Sequence, residues 1–441
     1  MLVLFVLLAG DAWRYTIGWW AYAALALAIV AASVALLVRR RSRWSVRRLP
    51  YPLLGFLALA TASIAWSFYP GATALGLAAT WSTVIGGLAL AVVYSWDELL
   101  KGLGTAVRII LGLSILFELY VALIMRSPIL PLVPSPGVDY SNLDSVPKML
   151  YWSRNELFEV LDGGRIQGIT GNSVLLAFVA LLGVIVICLQ LAGGSVRKRT
   201  GIPWLGLAVA CLAFTRSGTI TVALAAVIVV AIVALALRRA STPRARTATG
   251  LVALVLVLAG AVSAFVLQRE VLALLGKSED LTGRLGIWSK VIDLAQQRPA
   301  FGWGWISHWV PWVPPFDDLV FRNGVRQLHA HDAWLDIWLQ LGFVGVVVFG
   351  ILVAGALVRS WSFAIDLPQF GEGRGSNYTA VSLLPVLVLV ALLVQSIAES
   401  RLLVEGGLAL LVVIAVKTRT ADRSSIAPPT AQQLRAPSSA G

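Results

Sequence analysis

All three histidines of the chain, His308, His329 and His331, lie in one polar stretch that runs from about Glu270 to Gly345. This stretch is the longest polar interruption in the second half of an otherwise apolar sequence. Because imidazole titrates near neutrality, a histidine here is a candidate general base, and His331 is the first choice. Two further interpretations stay open. A His-x-His pair can bind a metal, although two ligands are a weak signal, and a loop histidine can simply donate hydrogen bonds.

Arg284 belongs to a segment, residues 282–298, whose apolar residues recur at helical spacing. The pattern predicts an amphipathic helix that lies on the membrane surface or packs on the helical bundle. The apolar positions are Leu285, Trp288, Val291, Ile292 and Ala295, and Thr282 is a candidate N-cap. Arg284 falls within this apolar arc, where a charge is costly without a partner. It is therefore either an anion ligand or a side chain that extends to lipid phosphates.

Arg216 stands between two apolar runs and has almost no charged neighbours in the sequence. An isolated arginine in this position is usually a binding residue or a helix-end residue that reaches the lipid headgroups. His329 and Asp332 flank the candidate base. They are possible supporting residues, and the carboxylate of Asp332 would either tune or orient the imidazole of His331.

These residue types together favour one chemistry. A guanidinium group binds phosphate oxygens in bidentate fashion and keeps its charge when it is removed from water. Arginines would stabilise a departing diphosphate, and a histidine would deprotonate an attacking hydroxyl. The sequence therefore predicts group transfer from a lipid diphosphate, with no metal site and no cofactor.

The composition defines the elements that must position these residues. Of 441 residues, 58% are hydrophobic and 13% are charged, against about 25% charged in soluble domains. Apolar runs of about 17–25 residues recur, which is the length of a membrane-spanning helix. The fold class is therefore all-α, a polytopic membrane helical bundle. The net charge of +13 does not indicate nucleic acid, because the basic residues gather in short loops between the apolar runs.

About eleven spans are predicted, and the basic loops orient them by the positive-inside rule. The predicted spans are residues 16–38, 50–67, 72–94, 107–125, 170–191, 203–214, 219–238, 249–267, 331–358, 379–397 and 402–416. Residues 1–420 form the membrane domain. Its two long loops, about 126–169 and 268–331, are predicted to be extracytoplasmic, and the second carries the amphipathic helix. Residues 421–441 form a cytoplasmic tail that we expect to be disordered.

The polar stretch resembles the O-antigen ligase and Wzy-type polymerase superfamily, and in particular its exopolysaccharide-production branch. The family pattern GR..IW, P..G.G and HN..L..W.Q.G..G stands here as Gly283-Arg284 to Trp288, Pro299 to Gly304, and His331-Asp332 to Gly345. The segments Thr215–Gly218, Arg165–Ser173 and Ser63–Gly71 resemble its helix-joining turn, its G-x-x-G-N segment and its early SxxWS turn. One departure is Asp332, where the family has asparagine.

The resemblance implies a GT-C-like membrane enzyme of the bacterial plasma membrane whose site faces outside. Its substrate would be a polyprenyl-diphosphate-linked oligosaccharide, transferred to an acceptor hydroxyl. His331 would be the base, and Arg216, Arg284 and, with weaker support, Arg165 would bind the diphosphate. Polymerisation is favoured over ligation to a terminal lipid or wall acceptor. A lipid-linked oligosaccharide flippase or transporter is the alternative from another class, and a flippase or chain-length regulator is a candidate partner.

Overall fold

The computed structural model describes residues 1–134, 146–240, 242–266, 284–322, 325–365 and 379–424. Helices dominate these ranges. Their bounds are α1 (Leu2–Leu8), α2 (Gly10–Arg39), α3 (Tyr51–Ala62), α4 (Pro70–Val93), α5 (Trp96–Tyr120), α6 (Ser173–Ala192), α7 (Lys198–Phe214), α8 (Gly218–Arg239), α9 (Pro243–Val266), α10 (Arg284–Gln296), α11 (Ala333–Ile365), α12 (Leu384–Ser396) and α13 (Glu405–Ser424). The described β structure is a small antiparallel hairpin, β1 (Phe321–Arg322) with β2 (Val325–Arg326), and an isolated bridge.

The prediction of an all-α polytopic membrane protein is confirmed. Within the described residues, six helices are long and apolar enough to cross a membrane, or seven if a pair bent by 71° counts as one span. Each of the eleven predicted spans overlaps one helix of the set α2–α9 and α11–α13. Several of these helices are short, so the number of spans stays a prediction. The tail beyond residue 424 and the candidate cap Thr282 lie outside the described residues.

One end of the bundle, which we name the basic end, collects the arginines and lysines of the short loops. Arg238 donates to the carbonyl of Ala364 at 2.7 Å, so the last turns of α8 and α11 meet there. Lys417 donates to the carbonyl of Tyr94 at 2.7 Å, which brings α13 to the end of α4. The other end, the site end, carries the long loops and all three histidines.

The site end is held together by polar contacts between loops and helix termini. The buried carboxylate of Glu118, near the end of α5, accepts hydrogen bonds from the backbone nitrogens of Gln167 and Gly168 and from the Ser153 hydroxyl, at 2.7–2.8 Å. Asn172 then caps α6. The loop that contains Arg165 is thereby fixed to the membrane helices.

Helix α11 is broken at Gly342, which has a φ of 68°. The carbonyls of Pro299 and Ala300 accept from the backbone nitrogens of Phe343 and Val344, at 2.7 and 3.2 Å. In return, Leu339 and Gln340 accept from the backbone nitrogens of Trp303 and Gly304, at 3.0 and 2.9 Å. The two glycine-containing motifs of the polar stretch are therefore paired with each other through their backbones, and this pairing anchors the loop that leads to the histidines.

Helix α10 and the following loop form a small apolar core of their own on α11. The buried side chains of α10 are Ile287, Val291, Leu294 and Ala295. The predicted apolar arc is correct for Val291 and Ala295, whereas Leu285 is 48% exposed. The difference arises because α10 packs against α11 and the loop through the face that carries Ile287, Val291 and Leu294. Leu285 lies outside that face.

Candidate active site

The site is centred on Glu399, in the turn between α12 and α13. Its Oε1 atom lies 3.1 Å from Nη2 of Arg284 and 3.3 Å from Nδ1 of His331. These three side chains come from segments that are far apart in the sequence. All three are mostly buried, with side-chain exposures of 11% for Glu399, 15% for Arg284 and 21% for His331. A candidate base and a candidate phosphate-binding cation thus share one carboxylate oxygen.

Burial acts to raise the pKa of Glu399, because a carboxylate loses hydration there. The neighbouring His331, Arg284 and Arg401 outweigh this effect, so the pKa of Glu399 lies below its usual range. The carboxylate is consequently ionised at neutral pH and compensates the positive charge gathered around it.

His331 has a left-handed backbone, with a φ of 54°, immediately before α11. This conformation is costly for a residue that is not glycine, and such strain often accompanies function. Its Nε2 atom lies 3.1 Å from Oε1 of Gln327, whose amide nitrogen donates to the carbonyl of Val325. Both ring nitrogens therefore face oxygen atoms.

His329 supports the turn. Its Nδ1 atom accepts a hydrogen bond from the backbone nitrogen of His331 at 3.1 Å, which requires an unprotonated Nδ1. Removal from water lowers the pKa of His329 well below its usual value, and the nearby His331, His308 and arginines act in the same direction. The two observations agree that His329 is neutral. Its ring lies 3.9 Å from that of His331 and 5.4 Å from that of His308.

Asp332 is a helix cap. Its Oδ1 accepts from the backbone nitrogens of Trp334 and Leu335, at 2.8 and 3.0 Å, so it begins α11. Burial raises the pKa of Asp332. The carboxylate that contacts His331 is that of Glu399, from the short segment between the last two predicted spans, and no sequence motif marks it.

Arg216 and Arg165 lie together in a second group at the site end. Nη1 of Arg216 donates to the carbonyl of Val160 at 2.7 Å, and the backbone nitrogen of Ile166 donates to the carbonyl of Phe214. Arg216 is exposed and has a φ of 47°. Within the described residues, no hydrogen bond or ion pair joins this group to Arg284 or His331.

An ion network that sequence reasoning did not select lies next to the site. Arg14 donates to Asp11 and to Glu405, each at 2.6 Å, and Arg401 donates to Glu405 at 2.9 Å. Arg401 is two residues from Glu399, and its charge contributes to the lowered pKa values of His308 and His329. Sequence separation hides this network, since Arg14 and Glu405 are 391 positions apart.

Within the described residues, His329, His331 and Glu399 form a group with metal-ligand spacing, because one ligand atom from each lies within 4.8 Å of the others. Two contacts of this group disfavour a bound metal cation. Glu399 already contacts Arg284, whose positive charge would repel a divalent cation bound to the same carboxylate. The neutral Nδ1 of His329 is used by the backbone.

The fold and the site define a multi-pass helical membrane protein with a histidine, an arginine and a carboxylate clustered at one end of the bundle. Residues 201–350, which contain Arg216, Arg284 and His331, match the family model for O-antigen ligase. Over this stretch the chain is similar to the O-antigen ligase family, and the predicted resemblance to the O-antigen ligase and Wzy-type superfamily is confirmed. The match supports a membrane glycosyltransferase of the ligase or polymerase type that acts on lipid-linked glycans. A comparison with curated proteins gave no match.

Proposed function

We propose that the protein transfers glycan from a polyprenyl-diphosphate carrier to an acceptor hydroxyl at the extracytoplasmic face of the bacterial plasma membrane, as a polysaccharide polymerase. His331 is the general base. Arg284, Arg216 and Arg165 bind the diphosphate. The observation that supports this assignment best is the shared Glu399 oxygen, since it keeps a base and a cation in one cluster.

In the proposed step, His331 removes the proton from the acceptor hydroxyl, and the oxygen attacks the anomeric carbon of the donor. The bond between that carbon and the phosphate oxygen breaks as the glycosidic bond forms. The electron pair leaves with polyprenyl diphosphate, and the proton stays on the imidazole until it is released. Arg284 stabilises the charge that develops on the diphosphate. Among the described residues Glu399 is the hydrogen-bond partner of the Arg284 guanidinium, so further N–H groups are available for phosphate.

Gln327 marks the position of the acceptor. A base must present a lone pair to the hydroxyl, and Nδ1 of His331 faces the carboxylate of Glu399. Nε2 is therefore the basic atom, and the Gln327 oxygen 3.1 Å away must give way to the acceptor hydroxyl. Rotation of the buried Gln327 side chain would make this exchange.

A metal is not needed in this mechanism, because the arginines supply the positive charge that a metal would supply.

Transfer of the glycan to a terminal lipid or wall acceptor is the second candidate function, and the family description favours it. A flippase or a chain-length regulator is a candidate partner. Flipping of lipid-linked glycan by the chain itself would instead move substrate without joining units.

The test is a reaction of the purified protein in liposomes with labelled polyprenyl-diphosphate oligosaccharide, with product length measured. We expect His331→Ala to reduce glycan extension by about 10²-fold or more. Arg284→Lys should reduce it by about 10-fold or more, since an ammonium group cannot form the bidentate contact. The matched control is Arg298→Lys. Arg298 follows α10 directly, and its guanidinium group stacks on the ring of Phe68.

EDTA should leave the reaction unchanged. Loss of activity with EDTA, restored by a divalent cation, would instead assign His329, His331 and Glu399 to a metal. Normal product length from His331→Ala would exclude the base role. Movement of labelled lipid between leaflets without product formation would identify a flippase, and a single transfer to an added terminal acceptor would identify a ligase.

A further inference from the structure

Asp336 is a buried carboxylate in the first turn of α11 that the proposed reaction does not use. Its relative exposure is 0%. Burial of an ionisable group is costly unless its hydrogen bonds are supplied, so a carboxylate at this depth needs a structural or functional reason. An apolar side chain would carry no such cost.

The contacts of Asp336 point to a specific reason. Its Oδ2 accepts a hydrogen bond from the backbone nitrogen of Ala330, at 3.1 Å, and another from the hydroxyl of Ser400. Ala330 lies between His329 and His331, and Ser400 follows Glu399 directly. One carboxylate oxygen therefore binds both turns that form the site.

These two turns need such a connection. His331 and Glu399 are 68 positions apart, and His331 has a left-handed backbone that the surroundings must maintain. Trp334 also links α11 to this region, through a 3.1 Å hydrogen bond to Ser396. That bond reaches the end of α12 and does not involve the histidine turn. Asp336 contacts both turns at once.

We propose that Asp336 is a positioning residue that fixes the contact between His331 and Glu399. It does not touch the substrate. The inference rests on the proposed function only in that the positioned pair is catalytic, since the geometric role of Asp336 stands on its own contacts. Loss of the carboxylate should separate the imidazole from its partner, whereas Arg216 and Arg165, in the second group, should stay in place.

The activity test uses Asp336→Asn, which keeps an oxygen acceptor, and Asp336→Leu, which removes it. We expect Asp336→Leu to lower kcat by about 10²-fold, with KM for the lipid-linked donor changed by less than about 3-fold. Asp336→Asn should retain at least about a tenth of the activity. Ser400→Ala removes one of the two hydrogen bonds and should lower kcat by about 10-fold, which keeps the proposal testable if Asp336→Leu does not insert.

The matched control is Gln340→Leu. Gln340 is equally buried, lies one turn further along α11, and accepts two backbone hydrogen bonds, from Ile306 and Ser307, both at 2.9 Å. It fixes an earlier segment of the same loop and not the histidine turn. At a temperature where both variants are folded, we expect Asp336→Leu to be at least about 10-fold less active than Gln340→Leu. Equal activities, or an active Asp336→Leu, would overturn the proposal.

A second measurement is independent of activity. The substitutions His331→Cys and Glu399→Cys are made in a chain whose Cys188 and Cys211 are replaced by serine, and the two new thiols are joined by a short bis-maleimide cross-linker. We expect Asp336→Leu to reduce the cross-linking yield and Gln340→Leu to leave it unchanged. Unchanged yield in Asp336→Leu would reject the positioning role whatever the activity. Reduced yield in Asp336→Leu, together with no glycan transfer by the wild-type protein, would instead reject the proposed function.

Discussion

Glu399 shows how a single residue can organise a site without being visible in the sequence. It lies in a short turn with no motif around it, and its importance arises from two partners that fold against it from distant segments. His331 and Arg284 were recognisable from residue type, spacing and family resemblance. Their shared partner was not, because pairing between segments more than 60 residues apart leaves no local pattern.

The first prediction concerns Glu399→Gln. The amide keeps the size of the side chain and one oxygen acceptor but loses the negative charge that pairs with Arg284 and faces Nδ1 of His331. Without that charge, the buried Arg284 loses its ion-pair partner and the imidazole loses its orienting contact, so we expect kcat for glycan extension to fall by about 10²-fold. The assay is the liposome reaction, with Glu98→Gln as control, because Glu98 caps α5 at the basic end. Full activity of Glu399→Gln would show that the charge has no role.

The second prediction concerns pH and follows from His329. Its pKa in the folded protein lies well below the usual value of about 6.5, so below that pH the unfolded chain binds a proton that the folded chain excludes. Stability is therefore greatest above the unfolded-state pKa of about 6.5 and decreases as the pH falls below it.

The measurement is thermal unfolding in detergent at pH 7.5 and pH 5.5. The variant His329→Gln has no titrating group at this position and should lose less stability over the same interval. Equal losses in the two proteins would mean that other groups cause the effect.

At the scale of elements, the break in α11 determines where the histidine loop starts. The sequence contains both motifs, Pro299 to Gly304 and Gln340 to Gly345, and each was identified by its residues. Their mutual pairing was not predictable, because it uses backbone atoms that any residue supplies. The glycines indicate that the backbones of the two motifs must approach each other closely. A Cβ atom at Gly342 would collide with the backbone of Ala300, and one at Gly302 with the backbone of Gln340.

The third prediction follows from this pairing. Gly342→Ala forces an L side chain into a left-handed conformation and into the Ala300 carbonyl, so we expect a marked loss of thermal stability, above about 1–2 kcal/mol, and of activity. The control is Gly350→Ala in the same helix, where the new Cβ would meet a Trp334 carbon at 4.0 Å. Gly350→Ala should be neutral or slightly stabilising. A wild-type melting temperature for Gly342→Ala would contradict the argument.

At the scale of the whole molecule, much of the architecture could be predicted. Apolar runs located the helices, because lipid forces backbone groups to pair within a helix, and each predicted span overlaps a helix of the structure. The basic loops also meet at one end, as contacts such as Arg238 with Ala364 demonstrate. The ion network of Arg14, Asp11, Glu405 and Arg401 could not be predicted, since it joins the first helices to the last.

The fourth prediction tests the orientation of the bundle. Clusters such as Arg39 to Arg43 at the basic end should remain cytoplasmic by the positive-inside rule, which places the histidines and Glu399 outside. Single cysteines at Trp312, which is 66% exposed at the site end, and at exposed Arg41 at the basic end report this directly. The background again has Cys188 and Cys211 replaced by serine.

A membrane-impermeant maleimide should label position 312 in intact cells and position 41 only after the membrane is opened. The orientation also determines on which side of the membrane the donor is used. Under the proposed function, a lipid-linked glycan made on the cytoplasmic side would have to be flipped outward before a site on the outer face could use it. Labelling of position 41 alone in intact cells would put the histidine cluster on the cytoplasmic side, where the donor would be used before any flipping step.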